Sequence, residues 1–198
     1  RFGELGFFGV RYPEEVGGLG GDIWYTVTMC EEYPRTHMAG LPMAMMVQSD
    51  MATPIIGKIG SKEQIEEFLT PAIKGEKIAA LGVSEPGCGS DVAGMRTVAK
   101  KDGDDYVISG SKMWITNGTR ADFITLAART SEDRHGGISL FTFPTDTPGF
   151  EVSKTIDKIG NHSSDTAVLY FDECRIPKRY LLGEEGHGFL HIMTNFQG

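Results

Sequence analysis

Apolar positions recur with a helical period from residue 23 to residue 75 and with an alternating period from residue 78 onward. In the first part, Val27 and Cys30 sit at apolar spacing while Glu31, Glu32 and Arg35 form a polar side, and Pro34 ends or kinks that helix. A methionine-rich stretch follows, with Met38, Met43, Met45, Met46 and Met51. A further helix starts at Ser61, with Gln64 in capping-box spacing; Ile65, Phe68, Leu69 and Ile73 form its buried stripe and Gly75 closes it. After Ile78 the pattern predicts strands at 78–84, 97–101, 106–115, 123–128, 137–143, 150–154 and 166–171. Asp102-Gly103-Asp104, Asn117-Gly118, residues 134–137 and residues 146–149 supply the turns between them. Short strands with such close turn signals predict an antiparallel barrel or sandwich. Pro177 ends this region, and 186–196 reads as the first turns of another helix. The expected class is therefore α+β: N-terminal α-helices, then an antiparallel β-barrel domain, then the start of a C-terminal helical domain. The domain bounds expected are 1–76, 77–178 and 179–198.

The glycines of Gly17-Gly18-Leu19-Gly20-Gly21 invite a dinucleotide fingerprint. The register fails, because position 23 is Ile23 and no strand precedes. A flexible turn between helices is the better reading. The chain starts at Arg1 in what reads as a helix end, and stops at Gly198 soon after a new helix opens, so it reads as part of a longer protein.

With 40% hydrophobic and 23% charged residues in 198, the composition is that of a globular protein with material for a core. A net charge of −8 disfavours nucleic acid or an anionic membrane as partner, since both need a basic face. Cys30, Cys88 and Cys174 are widely spaced and odd in number, which argues against a disulfide framework or a zinc knuckle and for a reducing compartment. No apolar run approaches a membrane span. His37, His135, His162, His187 and His191 are scattered; His187 and His191 have i, i+4 spacing but no third ligand is indicated, so no metal site is expected.

Two linked signatures carry the chemistry. The first, Gly82-Val83-Ser84-Glu85-Pro86-Gly87-Cys88-Gly89-Ser90-Asp91, reads as a strand that breaks into a tight loop. Pro86 fixes its own φ, and Gly87 and Gly89 admit backbone conformations other residues resist. Such a loop can aim several N–H groups at one anion, with the Ser90 hydroxyl added. The second, Lys112-Met113-Trp114-Ile115-Thr116-Asn117-Gly118, places a large flat ring two residues before a hydroxyl; on a strand Trp114 and Thr116 share a face. A flat aromatic beside a hydroxyl suits a flat, polar-edged ring system.

Together and in this order the two signatures resemble the acyl-CoA dehydrogenase family of flavoenzymes, which carries a segment close to V-[ST]-E-P-G-A-G-S-D followed by K-x-W-I-T-N-G. The P-E-x-x-G-G-x-G turn at Pro13 matches too. The resemblance implies FAD as cofactor. It aligns Leu81, Gly82, Val83 and Ser84 with the strand along the flavin edge, Ser84 on the pyrimidine side. Glu85 to Gly89 would form the turn, Ser90 would contact cofactor or the CoA part of substrate, and Trp114 would flank the isoalloxazine. Thr116 would sit beside N5 and Ile115 would offer backbone contact. Two positions depart from the pattern: Cys88 stands where a smaller residue is usual, and Leu81 where an aromatic is frequent. For Cys88 a tolerated small residue is the better reading than a redox role.

The implied reaction is α,β-dehydrogenation of an acyl-CoA thioester, with a carboxylate base removing the α-proton. In the family that base is a glutamate of the C-terminal helical domain, so it is expected beyond Gly198; Glu184 and Glu185 are read as capping the following helix. Asn161, His162 and Ser163 fall in a loop near which substrate or cofactor approaches in the family. The methionine-rich helix reads as core packing, with an acyl-tunnel wall as the other reading. By resemblance the protein acts in fatty acid β-oxidation as a homotetramer that passes electrons to an electron-transferring flavoprotein, in a bacterial cytoplasm or a mitochondrial matrix. An acyl-CoA oxidase or flavin monooxygenase on the same scaffold, and a non-catalytic flavin-binding relative, are the alternatives.

Overall fold

The computed structural model describes residues 1–197. Helix α1 (Ile23–Glu32) is capped by the Asp22 carboxylate, which accepts from the Trp24 N–H at 3.0 Å, and Pro34 turns its end into a 3₁₀ turn, Tyr33–Thr36. Helix α2 (Gly40–Met46) runs into a π-helical turn, Val47–Ala52, followed by α3 (Pro54–Ile59). The expected helix from Ser61 forms with both capping-box bonds but is not regular: α4 (Lys62–Gln64), a π turn (Ile65–Leu69) and α5 (Thr70–Ile73) follow one another. Pro71 has no N–H for the Glu67 carbonyl, and the Lys77 ammonium donates to that carbonyl at 3.1 Å instead. Phe68, Leu69 and Ile73 of the expected stripe are buried.

The strands are β1 (Ala79–Gly82), β2 (Val98–Asp102), β3 (Asp105–Thr116), β4 (Phe123–Arg129), β5 (Ile138–Pro144), β6 (Phe150–Thr155), β7 (Thr166–Pro177) and β8 (Leu181–Leu182). They form one eight-stranded, mostly antiparallel sheet in the order β6-β7-β3-β2-β4-β5-β8, with β1 on β4. The expected barrel is not closed: β6 and β8 are the ends of the path. Nor is the sheet wholly antiparallel. β1 pairs in parallel with β4 from Ala79↔Phe123 to Gly82↔Leu126, and β2 joins the same edge in parallel at Val98↔Arg129. Two strands thus share one edge of β4 in succession, with residues 83–97 looping between them. Strand β8 was not expected; it adds to β5 through Leu140↔Leu182 and Phe141↔Leu181.

Strands β4 and β5 are buried along almost their whole length, whereas β6 is an exposed edge. One continuous core joins Ile55, Ile56, Phe68 and Leu69 of the helices to Phe123, Ile124, Phe141 and Phe143 of the sheet. Polar side chains fix the seam. Gln48 in the π turn donates to the carbonyls of Ala72 and Lys77 and accepts from the Ala79 N–H, so it anchors β1 to the helical layer. The Thr125 hydroxyl donates to the Ala52 carbonyl from β4. Helix α6 (Gly188–Phe196) closes the described chain. Glu184 and Glu185 do not cap it. Glu185 accepts from the Tyr106 phenol at 2.5 Å, Glu184 lies 3.5 Å from His187, and no acidic residue sits in the first turn of α6. Burial, and then the Glu185 carboxylate, push the Tyr106 phenol well above its ordinary value.

Candidate flavin cleft

Where β1 ends, the chain leaves the sheet at Gly82, and a Cβ built there would lie 2.8 Å from Ile124 and 3.1 Å from Leu126. A side chain there would force Ile124 and Leu126 of β4 to shift, so the close approach of β1 to β4 favours glycine. Glu85 and Cys88 then close a tight turn by exchanging backbone bonds of 2.8 and 3.1 Å. Gly87 and Gly89 do not take the left-handed conformations expected of them; neither has a positive φ. What marks Gly89 is open space, since a Cβ there would meet nothing within 4 Å. The Cys88 thiol is buried and donates to the Asp91 carbonyl at 2.9 Å. Burial, and then the Glu85 charge, push its thiol above the ordinary value, which suits a packed small residue and disfavours the reactive thiolate.

The second segment is a β-bulge. Lys112 pairs with Leu169 and Ile115 with Ala167, so two residues of β3 stand opposite one of β7. Trp114 takes the extra position with φ 66°, a left-handed conformation that a bulky side chain rarely adopts. Simple alternation would put Lys112, Trp114 and Thr116 on one face. The bulge breaks that alternation: Lys112 is fully buried, while the Trp114 ring is 56% exposed. Trp114 and Thr116 still meet in one cleft, through the bulge rather than through strand parity. The Ser84 carbonyl accepts from the Met113 N–H at 2.9 Å, which ties the two segments together.

Leu81, Val83, Ser84, Gly89, Ser90, Trp114, Ile115 and Thr116 all line a single open cleft of about 360 Å³. Val47 and Met51 from the π turn, Val92 from the loop and Phe196 from the end of α6 complete it. Sequence marks those four as apolar but cannot say which neighbour they face. Asn117, read from sequence as a turn signal, also has a structural task. At φ 64° its amide donates to the carbonyls of Ala44 and Ala79, joining the end of β3 to α2 and β1.

The methionines divide. Met45 is core, Met51 lines the cleft, and Met38 and Met46 line a separate apolar groove of about 510 Å³. Residues 161–163 are not among the residues that line the cleft; Ser163 packs against Gly40 at the start of α2. Among the described residues no group of three or more His, Cys, Asp or Glu could hold a metal; the His187 and His191 rings lie 6.3 Å apart.

The donor set fits a flavin. The cleft offers flat or apolar surface from Trp114, Leu81, Val92 and Phe196, the hydroxyls of Ser84, Ser90 and Thr116, and unfilled space over Gly89 where a diphosphate can approach the backbone. The support lies behind the lining. Lys112 donates to the Val83 carbonyl at 3.0 Å and to Glu85 at 2.9 Å, and Glu85 also accepts from the N–H groups of Arg96 and Thr97 at 2.7 and 3.0 Å. Burial opposes ionisation of Glu85, but Lys112 and these N–H donors outweigh it and hold the carboxyl below its usual range.

Family models give this cleft its context. The acyl-CoA dehydrogenase N-terminal domain matches residues 1–76 and the acyl-CoA dehydrogenase middle domain matches residues 80–174. The chain belongs to the acyl-CoA dehydrogenase family. It is 39% identical over 196 residues to the long-chain specific acyl-CoA dehydrogenase of Rattus norvegicus, covering 98% of this chain and 45% of that protein. It is 41% identical over 191 residues to the short-chain specific enzyme of Mus musculus, covering 96% of this chain and 46% of that protein. A solved probable acyl CoA dehydrogenase from Mycobacterium abscessus superposes with a TM-score of 0.95 at 44% identity, over 99% of this chain and 52% of that one. The chain thus spans about half the length of the acyl-CoA dehydrogenases it matches. No described helix is long and apolar enough to cross a membrane.

Proposed function

We propose that this chain supplies the FAD-binding half of an enzyme that dehydrogenates acyl-CoA thioesters between the α and β carbons. What supports the reading is the single cleft that brings the Ser84 and Thr116 hydroxyls and the Trp114 ring together. Bound FAD supplies the two-electron acceptor for the hydride leaving the β-carbon. In this reading Trp114 covers the ring and Ser84 and Thr116 hydrogen-bond its polar edge. Gly89 and Ser90 face the diphosphate, and Ser90 also meets the CoA part of the substrate. Val47, Met51, Val92 and Phe196 exclude water, which strengthens every charge interaction within the site.

Among the described residues, none that lines the cleft carries a carboxylate. We assign the base that takes the α-proton to a carboxylate beyond Gly198, acting in a dry, preorganised pocket. Electrons pass on to an electron-transferring flavoprotein. The assembly is a homotetramer in a bacterial cytoplasm or mitochondrial matrix. An acyl-CoA dehydrogenase assay with an artificial electron acceptor tests the assignment. The full-length protein is expected to turn over and residues 1–198 alone are not; full turnover by 1–198 would refute the placement of the base. Rapid mixing of the reduced enzyme with oxygen tests the acceptor, and fast reoxidation by oxygen would move the protein to the oxidases.

A further inference from the structure

A lysine with no solvent exposure in the middle of a sheet protein needs a reason. A buried ion pair is no bargain for stability, because desolvating both charges cancels most of their attraction, and apolar side chains of the same volume do as well. The position of this pair suggests a different purpose. On the edge of β4, β1 ends at Gly82 and β2 begins at Val98, so the loop 83–97 between them belongs to neither strand and is bonded to sheet backbone only near its ends, at Ser84 from Met113 and at Thr97 from Arg129. Lys112 reaches across from β3 and bonds the Val83 carbonyl where the loop departs. Glu85, held by Lys112, bonds the N–H groups of Arg96 and Thr97 where the loop returns. Lys112 also stands two residues before the strained Trp114. A single ion pair is therefore bonded to both ends of the loop carrying Gly89, Ser90 and Val92, and belongs to the strand carrying Trp114 and Thr116.

We propose that the Glu85–Lys112 pair is a positioning device that fixes the spacing between the loop wall and the bulge wall of the cleft. The pair itself touches no ligand; it acts through Val83, through the loop ends and through the bulge. Its effect on flavin binding rests on the function proposed above, whereas its effect on the loop does not. The Glu85→Gln/Lys112→Met double variant removes both charges and keeps the side-chain volumes close.

The test uses the full-length protein and two readouts. In flavin-free protein, amide hydrogen exchange in residues 83–97 and 113–116 is expected to rise about tenfold or more, with the β4 and β5 amides unchanged. Unchanged exchange in those segments would overturn the proposal. So would an equal rise in β4 and β5, because that is the mark of a merely stabilising pair. In the second readout, the FAD dissociation constant is expected to rise about tenfold or more, with a shifted flavin absorption band; a folded variant with wild-type FAD affinity and spectrum would overturn it. If the wild-type protein itself takes no FAD, the flavin reading falls and the exchange result alone decides the role of the pair. If the double variant does not fold, Glu85→Gln alone carries the same readouts, and unfolding of that variant as well would assign the pair to stability and overturn the proposal.

Discussion

Ser84 and Glu85 are sequence neighbours, and Lys112 and Trp114 are two residues apart, yet the members of each pair end in opposite environments. Glu85 and Lys112 are buried, and their polar atoms are spent on each other and on backbone groups of the loop. Ser84 and Trp114 line the cleft, Trp114 exposed and in a backbone conformation that costs energy. The same two segments thus have a back that is fully satisfied within the protein and a front that is left open. That division is what a preformed binding site requires: groups reserved for a ligand stay in place only if something behind them is rigid.

The contrast can be broken from the back first, where the effects are largest. Lys112→Met alone strands the Glu85 carboxylate in the interior and should cost about 3–5 kcal/mol in chemical denaturation. A loss below about 1 kcal/mol would mean that the back is not rigid in the sense argued. The front behaves differently. Trp114→Gly removes an exposed ring from a left-handed position, so flavin-free stability should stay within about 1 kcal/mol of wild type. FAD affinity in the same variant should fall about tenfold, read by flavin fluorescence titration. A large stability loss with unchanged affinity would reverse the assignment of front and back. Gly89→Leu separates binding from stability at the loop wall. Its side chain enters open space, so stability should move by no more than about 0.5 kcal/mol, while FAD binding weakens because the space over the loop is filled.

The smallest expected effect is on pH dependence. The folded carboxyl of Glu85 lies below its ordinary value of 4.5, so its contribution is fully present above about that pH and is lost as pH falls through the folded value. Glu85→Gln should therefore flatten the fall in stability below pH 4.5 seen in urea titrations, and an unchanged acid limb would remove Glu85 from the account.

Much of the architecture was legible because local patterns carry it. The switch from helical to alternating period at Ile78, the Ser61–Gln64 capping box and the Asn117-Gly118 turn each depend on residues close in sequence. The expected cleft residues were legible because two short motifs and the adjoining Leu81 hold them, whereas Val47, Met51, Val92 and Phe196 lie outside both motifs. What escaped depends on distant partners. An alternating strand gives no sign of the extra residue that sets Trp114 apart from Lys112. A lysine in a strand reads as a surface residue, and only distant partners make it interior: its stem lies beside Gly82 and its ammonium meets Val83 and Glu85. Glu185 reads as a helix-end carboxylate until Tyr106, 79 residues earlier, is seen beside it. Strand number alone does not decide closure, and parallel sharing of the β4 edge by β1 and β2 is a long-range choice.

The claim on which the rest depends is that Ser84, Thr116 and Trp114 form the front of a flavin site. The most direct test is an equilibrium titration of flavin-free full-length protein with FAD, followed by the flavin absorption band, for wild type and for Ser84→Ala/Thr116→Ala. One FAD should bind per chain of the wild type, and a double variant that folds normally should bind it about tenfold more weakly or worse. Wild-type affinity in that variant, or no FAD uptake by the wild type, would contradict the claim.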